Sequence, residues 1–483
     1  MKLKELLQGI DCQLTGNANV EVKAIAFDSR KVEKGTVFVA QVGVHVDGHK
    51  FIDTAITQGA VAIVCEVMPK VLDKGVCYVL VKNSDYALGV MASCYYGNPS
   101  GKLRLIGITG TNGKTTTVTL LHQMFRMMGH HVGLLSTIVN KIDEEEIAST
   151  HTTPDALELN GLLHRMVEAG CDYAFMEVSS HSIVQNRIAG LTFAGGIFSN
   201  ITHDHLDFHK TMANYIAAKK GFFDQLPKGA FALTNKDDRN GMVMVQNTRA
   251  EVKTYSLQMV ADFKCKVLED TIQGLHLEID GQELWAQLVG RFNAYNLMAI
   301  YGTAVLCGVE KMEALRLLSM LKAAAGRFEY ITGNGITGIV DYAHTPDALE
   351  NVIEAINEIR KEGQRLITVV GCGGDRDALK RPEMAKIASE GSSRVVLTSD
   401  NPRTENPDAI LDQMESGLSD EQKSLTVRIT DRRQAIKTAV MIAHRGDIIL
   451  VAGKGHETYQ EVNGVRSHFD DREELRKNLE IEK

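Results

Sequence analysis

Three things are missing from this sequence. No two of its eight cysteines stand at C-x-x-C spacing, no apolar stretch approaches the ~20 residues of a membrane span, and basic residues are outnumbered, 53 Lys and Arg against 61 Asp and Glu. The scattered thiols suit buried small hydrophobes in a reducing compartment better than disulfides or zinc ligands. The net charge of −8 argues against a general nucleic-acid binder, which usually carries a basic footprint. Residues 1–10 hold no apolar h-region or small-residue cleavage site, so a cytoplasmic protein with no membrane partner is expected. Internal repeats and low-complexity segments are also absent.

What is present is globular. Of the 483 residues, 44% are hydrophobic and 24% charged, and at roughly 150 residues per domain this length implies about three domains. Glycine-punctuated β-branched runs alternate with longer helical patterns, which predicts α/β layers with parallel sheets. Turn-rich residues 97–101 precede a strand over 103–109, and residues 323–327 precede a strand-like segment over 338–341. The expected division is 1–100, 101–325 and 326–483. The acidic run 143–146 reads as a solvated turn.

The strand over 103–109 runs into Gly110-Thr-Asn-Gly-Lys-Thr-Thr116 and then into a helix whose Val118, Leu121, Phe125 and Met128 form one apolar stripe, with Gly129 as its C-cap. Strand, glycine loop and helix in this order direct backbone N–H groups and the positive end of the helix dipole at a phosphate. Lys114 supplies a charge for the β- and γ-phosphates and Thr115 a hydroxyl for Mg²⁺. The loop is a variant, because the strict pattern needs glycine where Ile108 stands.

A second cluster carries Glu177, Ser179, Ser180 and His181, followed by His203, Asp204, His205, Asp207 and His209. A carboxylate at a strand end can hold Mg²⁺ beside such a threonine. H-x-H with interleaved aspartates is no structural-zinc spacing. Residues 234–238 contain the N-K-x-D of GTPases, but the D-x-x-G that should precede it overlaps it instead, so a strand end with a polar turn is the better reading.

Seven ordered motifs together resemble the Mur ligase family of peptidoglycan synthesis. They are the phosphate loop, Glu177-Val-Ser-Ser-His181, Asn200-Ile-Thr-His-Asp-His-Leu-Asp207, Asn293-Ala-Tyr-Asn296, Gly326-Arg-Phe-Glu329, Asp341-Tyr-Ala-His-Thr-Pro-Asp347 and Gly453-Lys-Gly-His-Glu457. The resemblance covers essentially the whole chain. It implies a central P-loop-type ATPase domain with a parallel sheet, a C-terminal Rossmann-like α/β domain and a smaller N-terminal α/β domain that binds a UDP-sugar. It also implies an ATP- and Mg²⁺-dependent amide ligase that proceeds through an acyl phosphate, and a monomer is expected.

By that resemblance Gly110, Thr111, Asn112, Gly113, Lys114, Thr115, Thr116, Asn296, Arg327 and Asp341 bind ATP, the last at the ribose. Thr115, Glu177, His205 and a carbamylated Lys219 are the expected metal ligands, with Lys114, Glu177, His205 and Lys219 serving the chemistry. Taken alone, Lys219 reads as a surface lysine on a helix. Thr152, Thr153, Ser179, Gln185 and Arg187 match contacts to the muramoyl dipeptide, and Ser29, Val44, His45 and Val46 match contacts to uridine.

The incoming amino acid is expected in the last domain. Strands ending near Val370, Thr398 and Ala452 each run into a polar loop, and ligands of open parallel sheets bind at such ends. Asp400-Asn-Pro-Arg403 matches the family form that adds meso-2,6-diaminopimelate to the D-glutamate γ-carboxylate of UDP-N-acetylmuramoyl-L-alanyl-D-glutamate. Arg376, Asp400, Asn401, Pro402, Arg403, Gly453 and Glu457 would form the pocket. Arg403 can grip a carboxylate bidentately, Arg376 can serve the same substrate, and Glu457 can receive the distal ammonium. The alternatives are a lysine-adding ligase of the same kind, a folylpolyglutamate synthase, or a nucleotide-gated module without ligation. Arg376 stands where a dinucleotide fingerprint needs its third glycine, which disfavours NAD.

Overall fold

The computed structural model describes residues 1–43, 46–149, 151–323 and 325–480, with the side chain of Asp207 also outside the described set. Val44 and His45, expected at the uridine, therefore lie outside the described residues. The eight cysteines are free thiols. Among the described residues no helix is long and apolar enough to cross a membrane.

Three sheets organise the chain. The first runs in the order Cys12–Thr15, Cys77–Val81, Ala62–Cys65, Thr36–Val39, Ala24–Ala26 and is parallel except for its first pair. The second has eleven strands and centres on Arg104–Thr109, which lies between Gly195–Phe198 and Tyr173–Glu177, both parallel to it. The third has six strands, with Ile448–Ala452 between Ile336–Asp341 and Leu366–Val370, again parallel. The α/β expectation holds, with one correction. The central sheet is parallel only through its middle, because Val132–Leu135 continues antiparallel into Val139–Ile142 and Glu145–Ala148, and Phe263–Thr271 into Gly274–Ile279 and Gln282–Ala286. The acidic run is accordingly split. Asp143 and Glu144 form the hairpin turn, with Asp143 at φ 58°, while Glu145 and Glu146 begin the next strand.

Register decides where the site can be. Glu177 pairs with Ile108, and Phe198 with Thr109, so these strands end together at one edge of the central sheet. In the third sheet Asp341, Ala452 and Val370 share one level, with Leu397 beside Val370. The segment expected to link the first two units is packed rather than loose. Pro99 and Ser100 are buried, and Ser100 Oγ accepts the Thr192 N–H at 2.9 Å.

The apolar stripe of helix Lys114–Met127 behaves as its spacing predicts. Val118, Leu121 and Phe125 are buried, Phe125 packs on Tyr173 and Phe175, and Gly129 ends the segment at φ 85°. The third sheet depends on a pair the sequence does not announce. Arg432 and Asp471 are both fully buried and joined by two hydrogen bonds of 2.8 and 2.7 Å. The same guanidinium donates to Ala452 O at 2.9 Å and Ser399 O at 3.4 Å, the carbonyls just before two of the polar loops. Removing one partner leaves an uncompensated buried charge. Asp471→Ala should therefore destabilise the protein by about 3–5 kcal/mol, measured by urea unfolding. A loss below about 1 kcal/mol, the range of exposed pairs, would show that the pair is not structural.

Candidate active site

The phosphate loop starts later than the strict pattern would place it. Ile108 is still within the sheet and fully buried, so the turn begins at Gly110. Gly110 has φ 154° and Gly113 φ 85°. A Cβ on Gly110 would lie 1.9 Å from Ser199 Oγ, and one on Gly113 would lie 2.3 Å from Asn296 Oδ1. Conformation and space both demand glycine at these two positions. The Thr111 and Asn112 N–H groups, expected to face a phosphate, donate instead to Asn200 O at 2.8 Å and Asn200 Oδ1 at 2.9 Å. The N–H groups left to face an anion are therefore those of the first turn of helix Lys114–Met127, whose N-cap Gly113 offers no side-chain cap.

Thr115 and Glu177 meet beside that turn. Thr115 Oγ1 donates to Glu177 Oε1 at 2.8 Å, and Thr137 holds the same carboxylate through its N–H (2.8 Å) and hydroxyl (3.2 Å). A hydroxyl and a buried carboxylate at a phosphate site are oxygen donors suited to Mg²⁺, which keeps several ligands for water and phosphate. Lys114 Nζ arches back to Gly110 O (2.9 Å) and Thr111 O (2.8 Å). From the third sheet, Arg327 Nη2 reaches Thr115 Oγ1 at 3.2 Å while its guanidinium lies over the Tyr342 ring, 4.7 Å from the centroid.

Lys219 is no surface lysine. It lies on helix Met212–Asp224, is 1% exposed, and its Nζ donates to Gly110 O at 2.7 Å and sits 4.6 Å from the Tyr215 ring centroid. Burial, reinforced by the charge on Lys114, holds its ammonium well below the ordinary 10.5. The Tyr215 hydroxyl in turn lies 3.1 Å from Thr111 Oγ1. His205 sits nearby at φ 54°, paired with Asp204 at 3.3 Å.

These groups line one cavity of about 480 Å³, with Thr152, Thr153, Ser179 and Arg187 on one side and the loops of the third sheet on the other. Arg187 donates to Thr153 O at 2.7 Å, and Thr153 Oγ1 to Glu177 O at 2.8 Å, so the expected dipeptide contacts adjoin the Glu177 strand end. Arg376, Asp400, Asn401, Arg403, Gly453 and Glu457 line the same space. A second cavity of about 420 Å³ contains Thr116, Asn296 and Asp341 and shares Asn112, Gly113 and Arg327 with the first. Asp341 is buried, which raises its pKa, and accepts the Phe328 N–H at 2.7 Å. Ser29, Val46, Gln185 and Pro402 line neither cavity. Ser29 opens a short turn capped by Asp28, and Val46 is exposed.

Three family models match in order. They are the Mur ligase family catalytic domain over residues 21–93, the Mur ligase middle domain over 108–304, and the Mur ligase glutamate ligase domain over 326–455. A protein of Parabacteroides distasonis called UDP-N-acetylmuramoyl-L-alanyl-D-glutamate--2,6-diaminopimelate ligase is 58% identical over 478 residues, 99% of this chain and 98% of its own. The chain belongs to the Mur ligase family. Proteins of the same name from Cytophaga hutchinsonii and Bacillus cereus are 57% and 41% identical, each spanning 98% of this chain and 98% and 97% of their own length. A solved structure of a ligase of that name superposes with a TM-score of 0.71 at 33% identity over 99% of both chains. The fold alone is shared with the MurF ligase of Thermotoga maritima in complex with ADP, at TM-score 0.61 and 20% identity, over 95% of this chain and 98% of that one.

This Mur ligase also has features that its motifs do not reveal. The hairpin Tyr459–Val462 and Val465–His468 clamps the loop of Arg403: the Arg403 N–H donates to Glu461 O at 3.1 Å, the Asn463 N–H to Arg403 O at 2.6 Å, and Arg403 sits at φ 51°. Its Nη1 donates to Gly374 O at 2.7 Å, joining two of the three loops. The GTPase-like segment is a strand end and polar turn. Asp237 accepts from Ser256, Leu257 and Tyr295, and Asp238 from Ile201.

Two histidines make the fold sensitive to acid. Burial lowers His122 to about 4 and His456 to about 3, and one buried ring nitrogen of each has no hydrogen-bond partner. Between their ordinary 6.5 and about 4, the unfolded chain binds protons at these rings that the folded chain refuses. Stability therefore falls as pH drops through that window. Melting temperatures from pH 7 to 4.5 should decline, and His122→Gln should flatten the decline. An unaltered slope in that variant would exclude His122 as a source.

Proposed function

We propose that this Mur ligase uses ATP to join meso-2,6-diaminopimelate to the D-glutamate γ-carboxylate of UDP-N-acetylmuramoyl-L-alanyl-D-glutamate, as a cytoplasmic monomer. The observation that carries this reading is the meeting of the phosphate loop with three polar loops of the third sheet in one cavity. Full-length relatives that bear the name of this activity support it. Residues 1–100 take the sugar nucleotide, 101–325 the ATP and 326–483 the amino acid.

Two negative groups must react. The γ-carboxylate attacks the γ-phosphorus, ADP leaves, and the resulting acyl phosphate is captured at carbon by an uncharged amine. Inorganic phosphate departs with a former carboxylate oxygen, and the amine loses a proton as the amide forms. Lys114 and the first turn of its helix take the β- and γ-phosphates, and Arg327 bridges toward them from the third unit. Asn296 and Asp341 serve the nucleoside in the second cavity. Mg²⁺, when bound, neutralises phosphoryl charge, and Thr115, Glu177 and His205 are the residues to hold it. The lowered pKa of Lys219 favours the neutral amine that a carbamate requires, and as a carbamate it would add an anionic ligand. Thr152, Thr153, Ser179, Gln185 and Arg187 orient the dipeptide, and Ser29, Val44, His45 and Val46 the uridine.

Arg403 and Arg376 recognise the distal carboxylate of diaminopimelate, which lysine lacks. An unpaired guanidinium in the pocket penalises lysine strongly. With the muramoyl dipeptide nucleotide and ATP held constant, phosphate release should need diaminopimelate and be much slower with lysine. Arg403→Ala should raise KM for diaminopimelate at least about tenfold and narrow the preference over lysine. Faster release with lysine in the native protein would establish the lysine-adding alternative, and an unchanged preference in the variant would remove Arg403 as selector.

A further inference from the structure

The loop after strand Ile448–Ala452 holds a lysine that none of these roles uses. The Lys454 side chain is fully buried and is not among the residues lining the cavity, although Gly453 and Glu457 on either side are. Its ammonium donates to Glu457 Oε2 at 2.9 Å and to Asn401 Oδ1 at 3.0 Å, and lies 5.3 Å from the centroid of the Tyr459 ring. Asn401 closes a triangle by donating from Nδ2 to Glu457 Oε2 at 2.8 Å. Its Oδ1 also accepts the Glu461 N–H at 3.0 Å, which ties the triangle to the hairpin that clamps Arg403.

A buried ammonium is costly unless it is paired and hydrogen-bonded, and hydrophobic packing could fill the same space. What the ammonium does that an apolar side chain could not is hold two pocket residues from different loops, 56 positions apart, in one geometry. Both hydrogen bonds to the carboxylate fall on Oε2.

We infer that Lys454 is a positioning residue for the incoming diamino acid: by fixing Glu457 and Asn401 through Oε2 and Oδ1, it reserves Glu457 Oε1 for the substrate ammonium. The inference rests on the reading of the three-loop cavity as the amino-acid pocket. Lys454 acts through Glu457 rather than by touching substrate, so its influence belongs to recognition of one substrate.

Lys454→Met keeps the apolar stem and removes the charge. It should raise KM for diaminopimelate about tenfold or more, with KM for ATP and for the sugar nucleotide within about twofold of the native values. In a Glu457→Gln background the same substitution should change KM for diaminopimelate by less than about threefold, because the partner it acts through is gone. If Lys454→Met does not fold, Lys454→Gln, an uncharged donor, is read for the same pattern. An unchanged KM for diaminopimelate overturns the inference, as does an equal rise in KM for every substrate, or a full effect that persists in the Glu457→Gln background. Native protein that releases no phosphate with diaminopimelate overturns the pocket reading itself. Native activity with a variant of unchanged KM overturns only the role of Lys454.

Discussion

Like charges repel most strongly where water is excluded, and the proposed reaction would press a triphosphate against a carboxylate in a confined cavity. The placement of cationic and dipolar groups follows from that demand. The chain as a whole carries −8, yet Lys114, Arg187, Arg327, Arg376, Lys380 and Arg403 all border one space. They sit on the helices and loops that flank two different sheets. A local field of this kind raises the concentration of anionic ligands independently of net charge, so the overall acidity of the sequence says little about what it binds.

Strand register makes the gathering possible. Parallel strands end at a common level, and each sheet presents its loops along one edge. Where the edges of the second and third sheets face each other, the phosphate loop and the loops after Val370, Leu397 and Ala452 enclose the same volume. Arg432 and Asp471 hold the carbonyls that precede two of those loops, and the Tyr459–His468 hairpin holds Arg403 from outside. Support for the site is thus spread over residues 432–471, beyond the loops that touch the cavity.

Much of this was legible in the sequence, for identifiable reasons. The strands ending at Thr109, Glu177, Asp341, Val370 and Ala452 are short apolar runs, β-branched in all but the second, stopped by glycine or a polar residue, and each stop is where the structure ends the strand or lies within one residue of it. Helix Lys114–Met127 announces itself by its apolar spacing. The antiparallel strands were not legible, because those such as Glu145–Ala148 and Tyr459–Val462 are only four residues long and lack a continuous apolar run, the first being mostly exposed and the second polar at its centre. Nor were the partners. Thr137 beside Glu177, Tyr215 beneath Lys219 and Asn200 under the phosphate loop are single residues whose roles arise only when distant segments meet. For Lys454 a signal existed: lysine and glutamate three positions apart in a glycine-rich loop suggest a pair, though not that both would be drawn into the protein. The burial of Lys219 likewise follows from the packing of its helix against the phosphate loop, which no local pattern encodes.

The central claim is that the acceptor carboxylate becomes an acyl phosphate before the amine arrives. The most direct measurement labels both γ-carboxylate oxygens of the D-glutamate residue with ¹⁸O, runs the complete reaction and determines the isotope content of the released phosphate by mass. The account predicts one labelled oxygen in each phosphate and one retained in the new amide. Unlabelled phosphate from a reaction that nevertheless forms the amide would contradict it.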